Sequence, residues 1–179
     1  HSGGLEALTR YFPVKEFISG EPKRLITTHQ VLPCQEGMAW QFDQINITVM
    51  APLDNEASHS NDRSCVIKIH DGDHQVLLTG DMSQQLEEQL VDRYQSRLKS
   101  DILVVPHHGS YYSSSIRFIQ ATRPSWSLIS AGFMNQWNHP HPDVLDRYRS
   151  FGSRILTTAE CGMVQLVISE RGIQHLSLI

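Results

Sequence analysis

Hydrophobic residues occur along the chain in short apolar runs and in longer stripes that repeat every three or four positions. The clearest stripe follows Ser83 and continues to Leu98, the spacing of one buried helix face. The apolar runs have the length of buried strands. They predict strands at 45–50, 64–70, 75–79, 101–105, 125–130, 154–157 and 163–169, with weaker strands near 24–27, 39–42 and 175–178.

Turn residues and prolines complete this set of predicted elements. Asp71-Gly72 lies between two strand-like runs and predicts a β-hairpin. Further helices are predicted at 5–12, 116–119 and 142–151, the first ending before a proline and the last beginning with one. Alternating strands and helices with one hairpin predict an α/β fold with mixed sheets.

The composition narrows the class of protein. A chain of 179 residues, 40% hydrophobic and 19% charged, is expected to fold as one domain with its own core. A net charge of -4 gives no overall positive field for nucleic acid, so any contact with phosphates has to be local or mediated by a metal. No apolar run approaches the roughly 18 residues that span a bilayer.

The cysteines do not indicate a redox compartment. There are three, an odd number, and they are far apart in the sequence. This spacing indicates neither a disulfide framework nor a zinc knuckle. Cys65 lies in an apolar run and is interpreted as a small core residue.

The stretch from Asp101 to Ser115 carries the strongest signal for a functional site. A buried strand ends at Pro106, which cannot donate to a sheet, and His107 and His108 follow at once. Crevices outside the carboxyl ends of strands are common sites of chemistry in α/β proteins. At least one of the two histidines is therefore interpreted as a metal ligand or a catalytic residue, and the other as an orienting or substrate-contacting group.

Two further loops carry side chains of the same kind. Asp81 follows a predicted strand, and Ser83 already provides the cap of the next helix, so the carboxylate is left for another role. His141 occupies the cap position of a later helix although histidine caps poorly, and His139 lies two residues before it. The alternatives are a helix-dipole role for Asp81 and histidines without a role. Imidazole and carboxylate together suit Zn²⁺ or Mn²⁺ bound for hydrolysis, phosphodiester hydrolysis included.

Several short motifs occur in the order that they have in one known family. They are HSGGLEAL at the start, 61–64 before a strand, LLTGD at 77–81, DILVVPHHGS at 101–110, NQWNHPHPDVL at 135–145 and the turn at 157–162. With these motifs the chain resembles a metallo-β-lactamase-fold domain. More narrowly, it resembles the C-terminal domain of the ComEC family, the DNA-internalisation proteins of bacterial natural competence. The resemblance extends over nearly the whole chain.

The resemblance implies a fold and a metal centre. The fold would be a metallo-β-lactamase-like αββα sandwich with mixed sheets and the metal centre at one edge. The implied metal ligands are His1, Asp81 and His107, and Asp81 would match the residue that bridges two ions. The implied cofactor is a divalent metal, manganese or zinc, as a single ion or a dinuclear centre.

The same resemblance implies the residues that act on the substrate. His108 and His141 would be catalytic. Two alternatives stay open: His108 is the ligand in place of His107, or His139 faces the substrate in place of His141.

The resemblance also implies a cellular context. In the family, the whole protein is a polytopic inner-membrane channel for single-stranded DNA, and this domain is proposed to degrade the strand that is not taken up. DNA would be the substrate, and the membrane channel domain of the same full-length protein would be the partner. The domain itself would be soluble and lie on the periplasmic or extracellular side.

One departure from the family pattern concerns the start of the chain. Residues 1–179 are expected to be the C-terminal portion of the metallo-β-lactamase-like domain, without its first strands and without the ligands that precede His1. As a nuclease or phosphodiesterase, this part of the protein is therefore expected to be weak or inactive by itself.

Two other functions are open from the sequence alone. A non-catalytic channel or gating domain with a degenerate metal site would keep the fold and tolerate the loss of Asp81. A metallohydrolase of a small ester or lactone would use the same ligands, because one fold hosts many reactions. DNA cleavage that depends on Asp81 distinguishes the nuclease from both.

Overall fold

The computed structural model describes residues 4–53 and 60–176, which form five α-helices and eleven strands. The helices are α1 (Leu5–Tyr11), α2 (Gln84–Tyr94), α3 (Ile116–Thr122), α4 (Pro142–Ser150) and α5 (Thr158–Cys161). The strands are β1 (Glu16–Ser19), β2 (Gln30–Pro33), β3 (Ala39–Phe42), β4 (Ile45–Ala51), β5 (Val66–His70), β6 (Gln75–Leu78), β7 (Ile102–Val104), β8 (Trp126–Ile129), β9 (Arg154–Thr157), β10 (Gln165–Ser169) and β11 (Gly172–Leu176).

Seven of these strands form one mixed sheet in the order β3-β4-β5-β6-β7-β8-β9. Neighbours are antiparallel from β3 to β6 and parallel from β6 to β9. The turn between β5 and β6 is closed by Asp71, whose Oδ1 accepts from the backbone N–H groups of Asp73 at 3.0 Å and His74 at 2.7 Å. The predicted hairpin and the α/β class with mixed sheets are confirmed.

The parallel half of the sheet determines where the candidate residues meet. Helices α2, α3 and α4 connect β6 to β7, β7 to β8 and β8 to β9. The loops that follow β6, β7 and β8 therefore emerge at the same edge of the sheet. These loops carry Asp81, the pair His107 and His108, and the segment 130–141.

The core joins this sheet to the three connecting helices. Leu77 of β6 and Leu103 of β7 are fully buried against Leu86 and Leu90 of α2 and Phe118 of α3. Burying side chains of this size contributes roughly 1.5–3 kcal/mol each relative to exposure. The loops of the candidate site thus extend from strands that are packed into the core.

The N-terminal part differs from the sequence prediction. Residues 24–27 are not a strand, and Ile26 is fully exposed. The strands that form here are β1 and β2, which pair in parallel on either side of this segment. Two adjacent apolar residues predicted a strand at 24–27, but a strand persists only where a neighbour supplies its hydrogen bonds.

The cysteines also differ from the prediction. Cys34 and Cys65 form a disulfide with Cα atoms 6.0 Å apart, whereas Cys161 is free and exposed. The interpretation of Cys65 as a lone core residue is therefore wrong. The pairing joins the end of the β1–β2 region to the start of β5, a contact made by tertiary structure between residues 31 positions apart.

The last two strands form a separate antiparallel hairpin, β10–β11. The ring of His175 in β11 lies 6.5 Å from the ring of Trp126 in β8. The predicted final strand thus begins earlier than expected, and its end beyond Leu176 lies outside the described residues. Within 4–53 and 60–176, no helix has both the length and the apolar character needed to cross a membrane.

Candidate metal centre

Asp81 and His108 face each other across the loops that follow β6 and β7. Nε2 of His108 lies 3.4 Å from Oδ1 of Asp81, and both side chains are partly exposed. An imidazole nitrogen and a carboxylate oxygen at this distance form an ion pair when the ring is protonated, or flank a cation when it is neutral. The loops after β6 and β7 thus meet at this pair of side chains.

The other nitrogen of His108 is held by the backbone. Nδ1 lies 2.7 Å from the carbonyl oxygen of Ser130 and donates to it, because a carbonyl can only accept. In the neutral ring the proton is therefore on Nδ1, and the lone pair of Nε2 points toward Asp81. This is the arrangement by which proteins orient histidines that bind metals.

The histidine turn adopts an uncommon backbone conformation. His107 and His108 have φ values of 50° and 56°, and Gly109 follows with φ of 78°. Left-handed residues other than glycine cost about 1–2 kcal/mol each. The turn rotates consecutive side chains into different directions, so His108 reaches Asp81 while the His107 ring lies 6.0 Å from the ring of His139.

Glycine permits the close approach that positions Asp81. Gly80 has φ of 60°, and a Cβ at this position would lie 3.0 Å from Cβ and Oγ of Ser64. The Ser64 hydroxyl oxygen accepts from the backbone N–H of Asp81 at 3.0 Å. The carbonyl of Gly80 accepts from the backbone N–H of His107 at 3.0 Å, which ties the two ligand-bearing loops together. The missing side chain of Gly80 thus lets Ser64 approach the backbone that carries Asp81.

His141 caps α4 and packs next to the histidine turn. Its Nδ1 accepts from the backbone N–H of Asp143 at 3.2 Å, and its own backbone N–H donates to the carbonyl of Gly109 at 2.9 Å. A Cβ on Gly109 would meet Pro140 at 2.7 Å, so only glycine allows this approach. The predicted cap position is confirmed, and since Nδ1 accepts a hydrogen bond, the proton of the neutral ring is on Nε2.

His139 lies in the middle of the histidine cluster. Burial lowers its pKa, and the neighbouring imidazoles of His107, His108 and His141 lower it further, against an opposing effect of Asp81. The backbone of His139 is fixed by the side chain of Asn135, which donates to its carbonyl at 2.6 Å and accepts from its N–H at 3.0 Å. The backbone that carries the His139 ring is thus fixed beside the turn.

A wide cavity opens next to the Asp81 carboxylate. It measures about 990 Å³ and is lined by Ser64 and Asp81 on one side and by Leu8, Phe17, Arg24 and Arg63 on others. The Nε atom of Arg63 is buried, and none of the described residues hydrogen-bonds to it. The Asp81 side chain is thus accessible from solvent along one side of this cavity.

The fold and this geometry agree with the matches to known proteins. The sequence profile of the Metallo-beta-lactamase superfamily matches residues 1–132. The chain belongs to the metallo-β-lactamase superfamily. The predicted metallo-β-lactamase-like fold class is confirmed.

Relatives of this superfamily member include proteins of bacterial competence. It is 33% identical to the Uncharacterized protein YcaI of Escherichia coli (strain K12), covering 96% of this chain and 22% of the relative. It is 32% identical to the Competence protein ComA of Neisseria gonorrhoeae, and the match covers 97% of this chain and 24% of the relative. It is 31% identical to the Recombination protein 2 of Haemophilus influenzae, and the match covers 93% of this chain and 21% of the relative. The resemblance to competence proteins is confirmed, and the chain spans about a fifth to a quarter of the length of these relatives.

Members of this superfamily typically bind divalent metals, so the centre should contain side chains that coordinate such ions. The carboxylate of Asp81 and the Nε2 lone pair of His108 are the right types of donor for zinc or manganese. Within residues 4–53 and 60–176, however, no three His, Cys, Asp or Glu side chains come together as a metal site. The described part of this superfamily domain thus supplies two suitable donors and leaves the rest of a ligand set to other residues.

The structure brings together most of the predicted site residues. Asp81, His107, His108 and His141 all lie at one edge of the sheet, as expected from their positions after strands. His1, the remaining predicted ligand, lies outside the described residues. The contact to Asp81 is made by His108, whereas the His107 ring faces His139.

Sequence reasoning missed the buried residues that support the histidine turn. Glu87 of α2 is fully buried and accepts from the backbone N–H groups of Ser114 at 2.5 Å and Ser115 at 2.7 Å. Arg147 of α4 donates to the carbonyls of Ser113 at 3.0 Å and Ser114 at 2.9 Å. One signal was available: a glutamate at position 87 shares its helix face with the apolar positions 90, 91 and 94.

Proposed function

We propose that this chain is a metal-dependent hydrolase domain of a DNA-uptake protein and that it cleaves DNA phosphodiester bonds. The observation that carries the proposal is the pair formed by Asp81 and His108. The hydrogen bond from Nδ1 of His108 to Ser130 leaves the Nε2 lone pair opposite a carboxylate at 3.4 Å. Two electron-rich groups held in this way attract a cation, and the chain belongs to a superfamily of metal-binding proteins.

In this proposal Asp81 and His108 hold the metal. The sequence-based hypothesis gave the ligand role to His107, and the contact with Asp81 favours His108. A divalent ion supplies Lewis acidity toward a phosphoryl oxygen when it is bound. Further donors have to come from outside the described residues, and His1 is the candidate that the family pattern indicates.

His141 is proposed as a catalytic residue that donates a hydrogen bond to the reacting ester. Its Nδ1 accepts from the backbone N–H of Asp143, so the proton of the neutral ring is on Nε2, where it can donate a hydrogen bond to the leaving or phosphoryl oxygen and stabilise the charge that develops there. His139 and His107 complete the cluster as neighbours that contact substrate. The lowered pKa of His139 keeps its ring neutral near pH 7, which limits the positive charge that the cluster accumulates.

Two features support DNA uptake and an extracytoplasmic location. The first is the identity of 31–32% to a competence protein and a recombination protein over nearly the whole chain. The second is the disulfide between Cys34 and Cys65, because disulfides persist in oxidising compartments such as the periplasm or the cell exterior. We accordingly propose DNA as substrate, a membrane channel domain of the same full-length protein as partner, and residues 1–179 as the C-terminal portion of one metallo-β-lactamase-like domain.

The second candidate is the non-catalytic channel or gating domain with a degenerate metal site. A domain that had lost its ligand set would keep the fold and the histidine turn while binding metal weakly.

Cleavage of end-labelled single-stranded DNA in Mn²⁺ tests the proposal. The chain and its Asp81→Ala variant are incubated for long times, because weak turnover is expected from these residues alone, and products are separated on a gel. Cleavage by the chain above the level of Asp81→Ala, with equal thermal stability of the two proteins, supports the hydrolase. Measured Mn²⁺ binding without any cleavage favours the non-catalytic domain, and cleavage of small ester reporters without DNA cleavage favours a small-ester hydrolase.

A further inference from the structure

A pair of tyrosines follows the histidine turn directly and projects from the protein. Tyr111 is 48% exposed and Tyr112 is 75% exposed. Their rings are 5.5 Å apart and nearly perpendicular. Isolated exposed aromatics are ordinary on protein surfaces, but a contiguous exposed pair beside a candidate reaction centre is a candidate ligand-binding surface.

The first tyrosine packs against two side chains of the site. The ring of Tyr111 lies 4.9 Å from the ring of His141, and the guanidinium of Arg147 lies 5.7 Å from its centroid. Arg147 is itself fixed by hydrogen bonds to two backbone carbonyls. Since Tyr111 is already ordered, a ligand that stacks on it does not have to supply the entropy of ordering this side chain.

The same contacts link the tyrosines to the centre. His141 donates its backbone N–H to the carbonyl of Gly109, which follows His108 directly. Tyr111 therefore lies within a short chain of contacts from the side chain that faces Asp81. A ligand that occupies both would extend from the tyrosines to Asp81.

We infer that Tyr111 and Tyr112 form a stacking platform for the bases of single-stranded nucleic acid, which places an adjacent phosphodiester at the Asp81–His108 pair. Aromatic rings stack on bases without regard to sequence, and an arginine charge beside the ring attracts the backbone. Single strands fit this surface because the base faces of a duplex are already stacked on each other. The inference rests on the proposed function, from which it takes the polymer substrate.

Oligonucleotide binding without turnover tests the platform. Fluorescence anisotropy of a labelled thymidine oligonucleotide is measured in EDTA with the chain and with Tyr111→Leu, Tyr112→Leu and Tyr111→Phe. We expect each leucine variant to raise Kd about 5- to 150-fold, the range for the loss of one stacked base, and Tyr111→Phe to bind like wild type. Phe42→Leu, an exposed aromatic on β3, is the matched control and should leave Kd unchanged.

Several results would overturn the platform. Absence of oligonucleotide binding by the wild-type chain contradicts it, and so does an unchanged Kd in both leucine variants. If Tyr111→Phe and Tyr111→Leu weaken oligonucleotide binding equally, the effect belongs to the hydroxyl rather than to stacking. If a leucine variant weakens binding of duplex and of single-stranded DNA equally, the effect belongs to contacts with the nucleic-acid backbone. If Tyr111→Leu lowers thermal stability, the more exposed Tyr112→Leu carries the test.

The outcomes for the platform and for the proposed function are separable. Binding in EDTA does not require hydrolysis, so a platform that binds DNA while the chain cleaves none would leave the inference standing and favour the non-catalytic domain over the hydrolase. If the chain cleaves a small phosphodiester reporter, we expect Tyr111→Leu to retain that activity and to lose cleavage of DNA through a higher KM. If Tyr111→Leu instead lowers kcat for both the reporter and DNA, Tyr111 acts on the centre itself, which contradicts a stacking role.

Discussion

The carboxylate of Glu87 accepts a hydrogen bond of 2.5 Å from the backbone N–H of Ser114, in a part of the molecule that solvent does not reach. The loop that contains Ser114 begins at the histidine turn, and Glu87 lies on α2 immediately downstream of Asp81. One buried acid thus links the two loops whose side chains meet in the candidate centre. The link depends on an ionisable group, so it can be tested by mutation and by pH.

Glu87→Gln is expected to destabilise the chain. An amide can accept from only one of the two backbone N–H groups and turns its own NH₂ toward the other, which leaves a buried donor unsatisfied at a cost of about 1–3 kcal/mol. Urea unfolding measures the difference. Glu88→Gln, at the exposed neighbouring position, is the control and should change the free energy of unfolding little.

The same residue predicts a pH dependence. Burial raises the pKa of Glu87 above its usual 4.5, although the N–H groups of Ser115 and Ser114 and the charge of Arg147 oppose the rise. Relative to the unfolded chain, folding therefore shifts Glu87 toward its protonated form, and the stability that this shift contributes is full below about pH 4.5 and is lost as the pH rises through the folded pKa. The destabilisation by Glu87→Gln should be larger at about pH 4 than at about pH 8. If the destabilisation by Glu87→Gln instead grows with pH, folding stabilises the charged form of Glu87.

Gly80→Ala is expected to destabilise the chain and to disturb Asp81. The new Cβ would meet Ser64 at 3.0 Å in a backbone with φ of 60°. Gly152→Ala is the matched control, because Gly152 has φ of 76° with no atom within 4 Å of a Cβ. The control isolates the conformational cost, about 1–2 kcal/mol. In thermal unfolding we expect Gly80→Ala to lower the free energy of unfolding more than Gly152→Ala does. An equal decrease in the two variants would show that Ser64 moves aside without cost.

Reduction of the Cys34–Cys65 disulfide is expected to lower stability. The bond joins residues 31 apart, and closing a loop of this size constrains the unfolded chain by about 3–4 kcal/mol. Urea unfolding with and without dithiothreitol measures the effect, in a Cys161→Ser background that removes the free exposed thiol. Cys34→Ala combined with Cys65→Ala should be insensitive to the reductant. Identical unfolding of the background protein in both conditions would exclude a stabilising disulfide.

Local signals predicted the positions of the candidate residues well. Asp81, His107 and His108 each follow an apolar run that forms a strand of the sheet, and the parallel order of these strands brings their ends together. The cap at His141 was likewise readable, because a proline at the first helical position marks where the helix begins. These signals lie within a few residues of the feature that they predict.

Contacts between distant residues could not be predicted in the same way. Which histidine faces Asp81 depends on a left-handed turn at His107 and His108, and no sequence rule places two such residues in succession. The disulfide joins Cys34 to Cys65 through tertiary structure alone. Each case is decided by packing between segments, which the local pattern of residues does not encode.

The division of roles between His108 and His107 leads to a prediction about metal binding. Isothermal titration with Mn²⁺ or Zn²⁺ should detect a site that Asp81→Asn and His108→Ala each weaken by at least about tenfold, since even residues that only orient a ligand are worth that much. His107→Ala should have a smaller effect, because its ring faces His139 rather than Asp81. Asp73→Asn, which changes an exposed carboxylate in the β5–β6 turn, is the control. An effect of His107→Ala larger than that of His108→Ala would return the ligand role to His107, and unchanged affinity in Asp81→Asn would place the metal elsewhere in the chain.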